Sequence, residues 1–122
     1  MSATRPGVWV GHVLAHYRDL DRSAQFWTGI GLRPVQRNAQ VAIFELRGGT
    51  HLVLVPGAAP NGETAAAFDL MVDDLDAEHE RLTGEGFQPP PIDRNENHRW
   101  FALTDPGGNV VTFNDSHVIG PV

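Results

Sequence analysis

No cysteine occurs anywhere in the 122 residues, which excludes disulfides, thiolate metal sites and a cysteine nucleophile and fits a reducing compartment. Basic residues are also few, nine against fifteen acidic ones, for a net charge of −6. Nucleic acid and anionic membranes are bound by clustered positive charge, and these nine side chains are scattered. No apolar run approaches the roughly 18 residues of a membrane span, and the opening "MSATRPGVWVGHV" lacks the uninterrupted apolar core of a signal peptide. Neither a nucleic-acid nor a membrane partner is expected, and a soluble cytoplasmic protein is. A Gly-x-Ser-x-Gly elbow is missing too. "GIGL" at 29 to 32 follows a predicted helix, where a dinucleotide fingerprint must precede one.

What is present is a repeat. "DLDRSAQFWTGIGL" (19 to 32) and "DLDAEHERLTGEGF" (74 to 87) share Asp, Leu, Asp, Thr, Gly and Gly at a constant offset of 55 residues. Alternating segments, "WVGHVLAHY" and "AAFDLMV", precede the two copies and read as strands. Asp19 and Asp74 read as helix N-caps, and Gly29 to Gly31 and Gly84 to Gly86 as helix stops. Three strand candidates follow each helix. They are "LRPVQR", "QVAIFELR" and "THLVLVP" with "RGGT" as hairpin turn, then "FQPPPI", "HRWFALT" and "NVVTFND" with "DPGGN" as turn. The prolines 89 to 91 predict a short or edge strand.

The chain therefore reads as one α+β domain over 1–122, built from two tandem β-α-β-β-β modules. Module 1 spans about 8–56, the linker about 57–64 and module 2 about 65–117. "SHV" at 116 to 118 reads as a tail docked across the cleft or onto a partner subunit. A unit of about 55 residues is marginal alone, so the halves should pair, and a homodimer is expected.

"HVLAHYRDLDRSAQFW", "FDLMVDDLDAEHERLTGEGF" and "FALTDPGGNVVTF" resemble the vicinal oxygen chelate superfamily, which includes glyoxalase I, bleomycin-resistance proteins, fosfomycin-resistance proteins and extradiol dioxygenases. The resemblance implies a mixed eight-stranded sheet curled around a cleft, with helices outside. Metal-dependent members draw ligands from the first and last strand of each module. Those positions fall on His12, Val53, Ala67 and Thr112, so one of four expected ligands is present.

Strand parity sorts the side chains without that resemblance. Val13, Ala15, Tyr17, Leu52, Leu54, Phe68, Leu70, Val72, Phe101, Leu103, Val111 and Phe113 are expected under the helices. On the opposite face, the candidate ligand-binding residues are His12, Leu14, His51 and Val53 from the first module. The second module adds Asp69, Met71, His98, Trp100, Thr112 and Asn114. Val41, Ile43, Ala67 and Val110 share that parity, as does Glu45, read as a rim carboxylate or as a partner for a cationic ligand. Such a lining suits a small, partly aromatic molecule, with Trp100 as a stacking surface.

No cofactor is expected. A divalent metal enters only through a displaced set, His12 with His51 and Asp69, the last two lying two residues from the family positions Val53 and Ala67. His98 and Asp69 are the candidate catalytic groups, as general base or acid. His79 and the charges of "DAEHER" are expected on the solvated face of a helix. The functional expectation is a metal-free receptor resembling bleomycin-resistance proteins, which sequesters a hydrophobic or aromatic metabolite or antibiotic. The alternatives are a metal-dependent glyoxalase- or dioxygenase-type enzyme (a lyase, isomerase or dioxygenase) and a metal-free isomerase.

Overall fold

Two aspartates open the two helices. In the computed structural model, which describes residues 4–57 and 63–115, Asp19 accepts a hydrogen bond from the Arg22 amide at 3.2 Å and caps α1 (Leu20–Ile30). Asp74 does the same for Ala77 at 3.0 Å and caps α2 (Leu75–Gly84). Each carboxylate satisfies an amide with no partner inside its helix. Gly31, at φ 118°, closes α1 in the left-handed conformation that glycine adopts without penalty. Asp19→Ala and Asp74→Ala should each cost about 1 kcal/mol in urea unfolding, and Asn at either position should restore most of that.

The first module places β1 (His12–Tyr17), β2 (Arg33–Arg37), β3 (Ala42–Leu46) and β4 (Thr50–Pro56) in one sheet of order β1-β4-β3-β2, with β1 parallel to β4 and the rest antiparallel. The second contains β5 (Thr64–Ala65), β6 (Leu70–Val72), β7 (Asp93–Arg94), β8 (Arg99–Thr104) and β9 (Asn109–Asp115). Both β5 and β6 run parallel to β9, which pairs antiparallel with β8 and through it with β7. Two mixed sheets curl together into a half-barrel with the helices outside.

The departures from expectation have local causes. The opening strand of module 2 is broken, giving nine strands where eight were expected. Ala65 lies opposite Val110 and Leu70 opposite Phe113, so four residues, 66 to 69, pass two on β9. Ala66 and Ala67 offer little side chain to pack, and aspartate is a poor strand former. An even excess preserves side-chain parity, so Phe68 and Leu70 still point inward. Thr64, assigned to the linker, opens β5. The proline run stays outside the ladder, so the strand expected at 87 to 92 does not form, and only the two-residue edge strand Asp93–Arg94 follows it. Residues 58–62 of the linker and the tail at 116 to 118 lie outside the described residues.

The core occupies the helix side of both sheets. Ala15, Leu52, Leu54, Phe44, Phe101, Val111 and Phe113 are buried there with Trp27, Leu75 and Leu82 from the helices, each large side chain contributing about 1.5–3 kcal/mol. His79 departs from its expected solvated position. It is half-buried, its ring stands edge-on to Phe101 at 5.2 Å, and its Nε2 lies 2.7 Å from the Pro90 carbonyl. The imidazole thus covers the Phe101–Phe113 stack and holds the proline run against α2.

Contacts across the repeat join the modules. Asn109 Nδ2 donates to the His16 carbonyl at 2.7 Å, and Trp27 Nε1 donates to the buried Asp105 Oδ2 at 3.2 Å. Arg18 Nη1 meets the Pro106 carbonyl in the β8–β9 turn. Asp73, 55 residues after Arg18, pairs bidentately with Arg47 in the β3–β4 turn. Each hairpin tip thus grips the end of the other module's opening strand. The Arg47 hydrogen bonds, and then its charge, hold the Asp73 carboxyl below the usual range. Both partners face water, which screens the pair and keeps its contribution to stability small. Arg81 of α2 donates to the Gly29 and Ile30 carbonyls at the end of α1 while held by Glu78 and Glu85. No helix among the described residues is long and apolar enough to cross a membrane.

Candidate functional site

With the core committed to one face, the other faces of both sheets form the open concave side. On the first sheet, His12 lies beside His51 and Leu14 beside Val53 in the β1–β4 register, and Ile43 flanks Val53 from β3. The two imidazoles stack at 5.3 Å between centroids with 22° between planes. Glu45 is the next residue in the His12–His51 row, but its carboxylate is bound by Arg33 from β2, which answers its rim assignment with an internal partner.

On the second sheet, Met71, Asn114 and Trp100 form one row, and Thr112 lies beside Ala102. Asp69, in the bulge, accepts a hydrogen bond from Asn114 Nδ2 at 3.1 Å. His98 sits apart, exposed in the β7–β8 turn, where its backbone amide donates to Asn95 Oδ1. Of the ten candidate residues, His12, Leu14, His51 and Val53 thus share one wall and Asp69, Met71, Trp100, Thr112 and Asn114 the other. The concave side is open: Leu14 is 55% exposed and Met71 60%. A depression of about 510 Å³ lies at the seam, lined by Val10, Val13, Leu46 and Thr50 from one half and 67 to 70 from the other, Asp69 included.

Side-chain chemistry tests the fit to a divalent ion. The four positions implied by the resemblance carry one imidazole, one hydroxyl and two hydrocarbon side chains, whereas firm binding takes three or four N, O or S donors. For the displaced set, His12 and His51 are adjacent but Asp69 belongs to the opposite wall and is bound to Asn114. Among the described residues no three His, Asp or Glu are grouped so as to hold a metal ion. These residues do not fit a metal centre.

One structurally decisive group was not singled out in the sequence. Asp105, 3% exposed, accepts from the Gly107 and Asn109 amides, from Asn109 Nδ2 and from the Trp27 indole. The "DPGGN" turn is readable locally, but the indole, 78 residues away, is not.

A family model for the Glyoxalase/Bleomycin resistance protein/Dioxygenase superfamily matches residues 9–113, and the chain belongs to that superfamily. No curated protein matches it. Among solved structures, the lactoylglutathione lyase from Agrobacterium tumefaciens aligns over 94% of this chain and 98% of its own, with 22% identity and a TM-score of 0.76. A bleomycin resistance determinant encoded on transposon Tn5 aligns over 91% and 100%, with 24% identity and a TM-score of 0.70. Oxidase ChaP-H1 aligns over 93% and 100%, with 21% identity and a TM-score of 0.69. At these identities the likeness is one of fold, and an enzyme and a resistance protein share it equally.

Proposed function

We propose that this protein is a receptor that sequesters a small apolar or aromatic molecule on its concave side without a metal ion, as a homodimer. The observation that carries this reading is the pair of walls, Leu14 and Val53 on one and Met71 on the other, that present apolar surface around a few polar groups, where a metal-dependent site would present donors. The dimer is supported by the further exposure of Val8, Trp9 and Val10 beside the same seam. Contiguous apolar surface of this kind marks an interface more often than a free surface.

Calorimetric titration against a panel of aromatic natural products should yield at least one ligand that binds once per chain. Leu14→Asp should weaken that ligand by about tenfold or more, since it puts a charge on an apolar contact, while unfolding stability changes little because Leu14 is exposed. Silence across a broad panel would sink the reading. So would stoichiometric zinc, nickel, iron or manganese that is lost on His51→Ala. Sedimentation should report a mass near twice 13.3 kDa.

A further inference from the structure

The concave side holds a pair of donors that no other described residue uses. His12 and His51 stack on each other, and their ring nitrogens have no hydrogen-bond partner among the described residues. A neutral imidazole always carries one N–H, so two side by side offer at least two donors. The charged groups around them are committed elsewhere. Glu45, across β4, is bound by Arg33, and Asp69, on the facing wall, accepts from Asn114. His16 shares the face but lies four residues along β1, beside Val55. The adjoining row is Leu14 and Val53, so the donors stand at the edge of an apolar wall.

A ligand that matches this arrangement accepts two hydrogen bonds at one end and is hydrocarbon beyond it. We propose that the His12–His51 pair anchors the carboxylate of an organic acid whose aromatic or alicyclic body lies on Leu14 and Val53. This rests on the receptor reading and narrows its ligand class. A polar pair buried under a ligand must be matched by acceptors, or its hydration is lost without return. A carboxylate matches both donors at once, and hydrogen bonds to an ionised acceptor are the stronger kind. The net charge of −6 disfavours anions over the surface as a whole. A preference for an acid over its neutral or cationic counterpart therefore needs a local source, and this pair supplies one.

The test titrates the full chain near neutral pH with three probes on one skeleton: 2-naphthoate, 2-naphthamide and 2-naphthylmethylammonium. Naphthoate should bind about tenfold tighter than naphthamide, the worth of one charge-assisted hydrogen bond, and the ammonium weakest of all. His12→Leu and His51→Leu should each remove most of that preference while leaving naphthamide within about twofold, since its apolar contacts are retained. In the unaltered protein, the imidazole 15N resonances of His12 and His51 should move on adding naphthoate and stay put with naphthamide, a readout independent of how the variants fold. Equal binding of amide and acid, unmoved imidazole resonances, or no binding of naphthoate each overturns the carboxylate anchor. If naphthamide and the wider aromatic panel also fail to bind, the receptor reading falls with it.

Discussion

Gly107→Ala is expected to lower stability by about 3 kcal/mol, the upper range for forcing atoms into a packed site. The reason is a backbone contact between the two halves. A Cβ at Gly107 would overlap the carbonyl oxygen of His16 and lie 3.1 Å from Tyr17 Cα and 3.2 Å from Asn109 Nδ2. Two of these are main-chain atoms at the end of β1, which cannot rotate away as a side chain would. Asn109 also loses its aim at the His16 carbonyl, so a hydrogen bond across the modules goes with the fit. In a chain this size the loss corresponds to roughly 12 °C in melting temperature. Gly84→Ala is the matched control, because a Cβ there meets nothing within 4 Å and the residue ends a helix. Melting curves of the two variants that coincide would refute the close approach.

The second large effect is expected at Asp105. Its carboxylate is buried and accepts from two backbone amides, the Asn109 amide group and the Trp27 indole. Asp105→Ala strands several buried donors at once, each costing about 1–3 kcal/mol when left without an acceptor. A total of about 4 kcal/mol is expected by urea unfolding, since part of the turn will relax toward water. Asp105→Asn should cost about half as much, because one oxygen remains while the new NH₂ faces donors. A double-mutant cycle with Trp27→Phe isolates the link between modules. Asp105→Ala should be less costly in the Trp27→Phe background, since the stranded indole N–H is gone. Equal costs in both backgrounds would show that the bond from Trp27 contributes nothing.

Much of this architecture was legible because two periodicities reinforce each other. The repeat pointed to Asp19 and Asp74 as caps and to the Gly-x-Gly segments as stops, and both helices begin and end there. Alternation sorted Ala15, Leu52, Leu54, Phe101 and Phe113 to the core and His12, His51 and Val53 to the other face. What was not legible depends on contacts far apart in sequence. The break in the opening strand of module 2 is a mismatch in length against β9, and a strand of Ala, Ala, Phe, Asp and Leu alternates the same way whether or not it bulges. His79 has the polar surroundings of a helix surface, and only Phe101 and Pro90 draw it inward. Glu45 reads as a free rim acid until Arg33 is known to stand opposite it on β2.

The division of labour between the two faces has an evolutionary corollary. The grips that join the halves sit at the hairpin tips and helix ends, and the packed interior lies wholly behind the sheets. Mutations on the hollow side can therefore accumulate without endangering folding, and one ancestral duplication can be retargeted to new molecules by drift at a handful of outward positions.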